Sequence, residues 1–500
     1  MLGLRLIFAV MLSAGAGGDK APTGALLGWT SQDSVVAQAR DLAQAGHLAE
    51  AEKLLQDSPI NTGTTAEARR QMAEIIRRIR LEYTLDHAAL LARLQRSIPD
   101  VTSEELITWR EAGQVRTRTL DGQIRYFNSE PANLFRFCPA AQQRLAARNP
   151  ASTPAVEDAR VASRLREHLS EVIAAAKKSH QAEVTPVKHR ITYRLTVLGN
   201  RPGAKAGSLI RCWLPFPQEY RQQKNVKLLH TAPVEHFVAP TGVDGFPLQG
   251  TAQRTVYLEQ KIADPHQPTV FEEQFEYTSY AYCPQIRDVD ARPLPPDFDR
   301  TYLAERPPHI VFTPEIQALA RKLAGDETNP LARLRKIYRY LDGKVKWGPE
   351  EEYSIIPCFC MKPLTSGKGD CGLQSSLLIA LCRAAGLPAR WQSGWETKPW
   401  SWNMHDWAEV YIAPWGWLPV DQSYGLQGGD DREIDEFYIG HQDAYRLIVN
   451  LDYGAPLTPP KTDMRSEPAD FQRGEVELDG RNLYFDEWKY DIQFDWTPPR

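Results

Sequence analysis

Three residues far apart in the chain have the types and neighbours that thiol chemistry requires: Cys371, His405 and Asp421. Cys371 follows the turn-rich loop Ser366-Gly367-Lys368-Gly369-Asp370 and opens the apolar run CGLQSSLLIALCRAA. Gly386, with Pro388 two residues beyond, ends that run as a helix. A cysteine at a helix N-terminus meets unpaired backbone N–H groups and the positive end of the helix dipole. Both favour thiolate, the nucleophilic form. Cys382, in the middle of the same helix, has no such advantage.

A thiolate nucleophile needs a base that later returns the proton to the leaving group. MHDWAEVYI places His405 at the start of an alternating strand, and GWLPVDQSYG ends a second strand with Asp421. A short turn centred near Ala413 sets His405 opposite Asp421 with both side chains on one face. The carboxylate then fixes the imidazole tautomer and leaves the other ring nitrogen for the cysteine. A turn centred on Trp415 instead slips the pair by four residues and separates them. His309 and His441 have no matching carboxylate partner. Asp370 and Asp406 read as a turn residue and a solvent-facing group. Seven of thirteen tryptophans lie between positions 391 and 417. Trp407 and Trp417 read as core; Trp395, Trp400 and Trp402, in a loop just before His405, read as the wall of a substrate groove.

The elements that must position these residues are legible in outline. Residues 1–16 combine Arg5, an apolar core and an Ala14-x-Ala16 exit, the pattern of a secretory leader. Residues 30–145 are helical, with one tetratricopeptide-like hairpin turning at Gly46 and a winged-helix-like unit whose β-hairpin turns at Asp121-Gly122. Its arginines read as a solvated face or a protein-docking module. Residues 155–182 form a connecting helix, and 184–290 switch to period two, an antiparallel β-domain with sandwich character. Pro293 to Pro308 is a connector, residues 300–426 hold the chemistry, and 427–500 read as an extension packed on that core.

In its three motifs the chain resembles the transglutaminase-like branch of the papain-like cysteine enzymes. They stand here as GKGDCGLQSSLLIALCRAAGLPAR, HDWAEVY and WLPVD, in the order cysteine, histidine, aspartate, across residues 310–426. The resemblance implies Cys371 as nucleophile, His405 as general base and acid, and Asp421 as the group that orients it. It also implies an oxyanion donor upstream of the cysteine, for which Trp347 in VKWGPEE is the candidate. Many members carry an acidic or aromatic residue soon after the catalytic Cys-Gly; this chain has Leu373-Gln374-Ser375. The implied fold is multidomain α+β, a papain-like transglutaminase core preceded by a helical region and an antiparallel β-domain. The implied reaction is acyl transfer on peptide or glutamine amides through a thioester, with water as the favoured acceptor. An amine acceptor (a protein-glutamine transglutaminase) and an inactive protein-binding scaffold are the alternatives. No cofactor and no metal is called for, and the expected partner is a protein or peptide substrate.

Composition bounds these readings. Five hundred residues suffice for three to four domains. A net charge of −4 offers no broad attraction to nucleic acid, and mean hydropathy of −0.45 with no apolar run near ~20 residues argues against a polytopic membrane protein. Seven cysteines in an exported chain leave at least one thiol without an intramolecular partner. The leader implies a periplasmic or secreted location.

Overall fold

The computed structural model describes residues 29, 31–59, 63–242 and 252–497 of the chain. The expected leader, 1–16, lies outside them. Asp33 caps Ser34–Ala45, and Gly46 (φ 89°) turns the chain into Leu48–Asp57. A side chain is excluded at Gly46, because a Cβ there would sit 1.9 Å from the Thr119 carbonyl oxygen. Helices His87–Gln95 and Ser103–Glu111, the latter closed by a Thr102/Glu105 capping box, precede the hairpin Thr117–Leu120 and Gln123–Tyr126. Asp121 and Gly122 both take positive φ, as its two-residue turn demands.

The helix Gly63–Glu82, which precedes that unit, is rich in arginine, and not all of it faces solvent. Arg78 is fully buried, donating to the Arg465 carbonyl and to Glu74, and Arg69 is buried as well. Part of this charge therefore anchors the helix to the C-terminal segment. Helices Glu130–Phe137 and Pro139–Arg148 follow, and then the long connecting helix Pro154–Ser179.

The β-domain is two stacked antiparallel sheets. One runs, in spatial order, Trp488–Thr497, Glu183–Val197, Thr269–Tyr282, Gln223–Ala232. The other runs Arg481–Leu483, Glu475–Leu478, Leu209–Pro215, Thr255–Lys261, His236–Val238. Three of these strands come from beyond residue 470, so the C-terminal segment completes the sandwich rather than merely packing on the core. Trp213, Phe271, Phe275 and Trp395 fill the space around it.

The third sheet carries the chemistry. Its order is Gly416–Val420, Ser401–Ile412, Ala389–Lys398, Arg446–Asn450, all antiparallel. The helix Cys371–Ala384 packs on one face, and residues 372–383 are buried throughout. That explains its apolar run: each fully buried Leu or Ile contributes about 1.5–3 kcal/mol. Ala408, Val410 and Ile412 project from the central strand toward this helix and share its core. The odd-numbered residues of that strand face the other way.

Candidate active site

Asp370 caps the Cys371 helix, its carboxylate accepting the Leu373 N–H at 3.1 Å. A parallel pair of short strands, Lys346–Trp347 and Lys368–Gly369, fixes the approach to Cys371 and brings Trp347 alongside. The thiol opens into a cavity of about 310 Å³ bounded by Trp347, Glu350–Glu352, Tyr353, Asp406, Asp470 and Arg473. The helical N-terminal region braces the rim. Arg116 grips Glu350 with two 2.7 Å bonds, and Arg136 lies 4.9 Å over the Trp347 ring.

The hydrogen-bond partner of the Cys371 thiol is Asp406, with Sγ 3.4 Å from Oδ2. Asp406 is buried, not solvent-facing. Its Oδ1 accepts Gln472 Nε2 at 2.7 Å, and the Tyr353 hydroxyl lies 3.2 Å from Oδ2. That hydroxyl is also 2.9 Å from Asp370 Oδ1 and accepts the Gly372 N–H. Burial pushes the thiol well above the ordinary cysteine range, and the Asp406 and Asp370 carboxylates add to the shift. The expected thiolate is therefore overruled: desolvation and two acidic neighbours outweigh the helix terminus. Asp406 is itself held well above the usual carboxylate range, first by burial and then by Asp370.

His405 and Asp421 meet on the opposite face of the same strand, Nε2 to Oδ2 at 2.7 Å. The turn centres on Pro414, because Ile412 pairs with Gly416 and Ala408 with Val420. Asp421 thus falls diagonal to His405 rather than directly opposite. The two-residue slip preserves the face, and a diagonal neighbour remains within reach. Arg446 Nη1 holds the same Asp421 oxygen at 2.8 Å, and Asp443 in turn holds Arg446 at 3.1 Å. Burial alone would raise Asp421, but the His405 and Arg446 charges hold it below the usual range. His405 packs beside Trp407 and Tyr424, and among the described residues its Nδ1 has no hydrogen-bond partner. Nor, among them, is there a hydrogen bond between Cys371 and His405.

The tryptophans part company with the expected groove. Residues 389–398 and 401–412 form a strand hairpin, not a loop. Trp395 is fully buried in the sandwich core, its indole donating to the Gln472 carbonyl. Trp400 packs edge-on to Tyr445, and the exposed Trp402 lies against Phe494. None of the three bounds the Cys371 cavity. Trp347 does, with an exposed ring whose N–H has no protein partner among the described residues. Cys358 and Cys360 lie with sulfurs 3.8 Å apart, and all seven cysteines are free thiols.

Sequence reasoning missed Asp406, Tyr353, Arg446, Asp470 and Gln472. A signal for Asp406 was present: Asp406, Ala408, Val410 and Ile412 alternate, so the strand's apolar face carries Asp406 inward. Arg446, Asp470 and Gln472 arrive from the C-terminal segment with no local pattern to announce them.

Residues 317–422 match the transglutaminase-like superfamily, and the chain carries that family's core domain there. Among curated proteins it is similar to an uncharacterised protein of Haemophilus influenzae, 30% identical over 143 residues. It is also similar to the uncharacterised protein YebA of Bacillus subtilis, 29% identical over 130 residues. These matches take in 23% and 22% of this chain but only 38% and 18% of the relatives' lengths. Among solved structures it is similar to a candidate cysteine protease of Cytophaga hutchinsonii, with 16% identity and a TM-score of 0.40 over 63% of this chain and 92% of that one. The periplasmic domain of TgpA from Pseudomonas aeruginosa aligns at 16% identity and a TM-score of 0.24, over 50% and 91%. Among the described residues no helix is long and apolar enough to cross a membrane.

Proposed function

We propose that this chain is a cysteine-dependent acyl-transfer enzyme acting on peptide or glutamine amides, with water as the acceptor. The observation that carries the reading is the Cys371 thiol at the start of a buried helix, open to a cavity and set beside a strand bearing a buried His–Asp pair. Cys371 Sγ attacks the amide carbonyl, and His405 takes the thiol proton and passes it to the departing amine. Water then attacks the thioester, giving one proton to His405, and the acid and free thiol are released. The Cys371 N–H and the Trp347 indole are the proposed donors to the oxyanion. His405 suits the base because Nδ1 is unengaged, whereas both Asp406 oxygens already accept hydrogen bonds. His405 lies on the other face of its strand from the thiol and does not line the cavity, so the step requires a local rearrangement of that strand that brings its ring to Cys371 in place of Asp406. A second reading follows from the 3.4 Å contact itself: Asp406 takes the proton directly.

The test is a panel of peptide amides, with and without a primary amine, read for chain cleavage, ammonia release and amine incorporation. Cleavage or ammonia release that vanishes in Cys371→Ala supports hydrolysis, and amine incorporation supports the transglutaminase alternative. His405→Gln inactive with Asp406→Asn active favours histidine as base; the reverse favours Asp406. If Cys371→Ala matches the wild type throughout, the chain is a scaffold and the reading fails. Export is part of the reading, and N-terminal sequencing of the mature protein should begin near Gly17.

A further inference from the structure

The wall of the thiol cavity is acidic, but its acids are not alike. Glu350 is matched by Arg116 and Lys362, Glu351 by Lys362, and Glu352 by both terminal nitrogens of Arg473. Arg473 spends its remaining Nε on Glu467. Asp370 and Asp406 lean on the Tyr353 hydroxyl and, among the described residues, form no ion pair. Asp470 has less still. It lines the cavity and is 7% exposed, yet among the described residues its carboxylate has neither a hydrogen bond nor an ion pair. Arg473 acts on it only at a distance. A carboxyl largely withdrawn from water without a partner is costly to ionise, so one retained at the mouth of a reactive thiol is placed to take up a counter-charge that enters the cavity. Among the described residues no three histidine, cysteine or acidic side chains converge to hold a metal ion; a single unpartnered acid lining a cavity of about 310 Å³ suits an organic cation.

We propose that Asp470 is a specificity-determining residue that receives a primary ammonium group in the Cys371 cavity, carried by the acyl donor or by an amine acceptor. Burial and the neighbouring Glu467 and Asp406 hold Asp470 well above the usual carboxylate range in the empty cavity, and an entering ammonium relieves that penalty. The proposal deepens the acyl-transfer reading and rests on it for the reaction served. The recognition itself can be measured without turnover.

The probes are methanethiosulfonates bearing trimethylammonium, sulfonate or no charge, with Cys371 labelling in the full chain followed by peptide mass spectrometry. The ratio of cationic to anionic labelling rates should fall about tenfold in Asp470→Asn and persist in Asp470→Glu. The ratio cancels any change in overall thiol reactivity. In the wild type, where folding of a variant is not at issue, butylammonium should protect Cys371 from the neutral reagent and butanol should not. A ratio equal in wild type and Asp470→Asn, equal protection by both, or a Cys371 that none of the reagents reaches would each overturn the proposal. On the amide panel, loss in Asp470→Asn confined to lysine-bearing donors assigns the ammonium to the donor; loss confined to amine incorporation assigns it to the acceptor. Charge-selective labelling without turnover would leave the cation site standing and remove the acyl-transfer reading. Turnover with unchanged preference would do the opposite.

Discussion

The two faces of the strand Ser401–Ile412 treat buried acids in opposite ways. On the face away from the helix, Glu409 is completely buried and takes Arg390, Arg221 and the Tyr220 hydroxyl. Asp421 has His405 and Arg446. Both carboxyls are held below their ordinary range despite burial. On the helix face, Asp406 meets a thiol, a hydroxyl and an amide but, among the described residues, no cation, and it is held well above. A compensated acid organises structure; an uncompensated one at a cavity marks where a reacting group or a ligand is received.

The largest effect expected from this contrast is on catalysis. Cys371→Ala should lower kcat on any amide the chain turns over by at least about 10⁴-fold, and Asp421→Asn by about 10³–10⁴-fold, because members of such a unit act together. Far-ultraviolet circular dichroism should be unchanged in both. An Asp421→Asn enzyme with full activity would reduce the compensated face to a purely structural role.

How much of this was readable in the sequence depends on whether the information was local. The cysteine helix and the Asp121-Gly122 hairpin both carry their own punctuation, and each forms where that punctuation puts it. The His405–Asp421 contact was expected from a register two residues away from the one formed. It survives because a slip of two keeps both residues on one face. The helix covers the face marked by the apolar alternation Ala408-x-Val410-x-Ile412, which is the face of Asp406 and not of His405. The distant partners of these buried acids were out of reach altogether. Arg446 and Gln472 lie twenty-five or more residues beyond their partners, and nothing local distinguishes them from surface polar residues.

Stability should show the contrast next. Glu409→Gln leaves Arg390 buried against a neutral group, and breaking such a pair costs about 3–5 kcal/mol in a denaturant titration. Asp406→Asn removes a carboxyl that has no cation to strand and should cost less than about 1 kcal/mol. Equal losses at the two positions would erase the distinction between the faces.

A smaller effect concerns the thiol. The Asp406 carboxylate helps hold Cys371 protonated, so replacing it with an amide should bring the thiol pKa down. Iodoacetamide labelling of Cys371 at neutral pH, followed by peptide mass spectrometry, should then be several-fold faster in Asp406→Asn than in wild type. Slower labelling would mean that the carboxylate activates the thiol, and the Asp406-as-base reading would take precedence.

The smallest expected effect separates two aspartates by the sign of their pH dependence. Asp370 is pushed up to about 7 by burial, with Glu350 adding repulsion. Its unfolded value is near 3.9. Between about pH 4 and 7 the folded chain therefore holds the proton more tightly than the unfolded chain. The stability this contributes is complete below about pH 4 and is lost as pH rises through 7. Asn keeps the helix cap and removes the ionisation, so Asp370→Asn should gain on wild type as pH rises across that interval. One pH unit is worth at most about 1.4 kcal/mol, and water reaching the partly exposed carboxyl reduces this to a total on the order of 1 kcal/mol. Asp421, held low, contributes stability that is present above its unfolded value and lost as pH falls through its folded one. Asp421→Asn should therefore lose least against wild type in acid and most at neutral pH. Denaturant titrations of Asp370→Asn between about pH 4 and 7, and of Asp421→Asn below about pH 4, should give difference curves of opposite slope. Slopes of the same sign would mean that the two faces of the strand hold their acids alike.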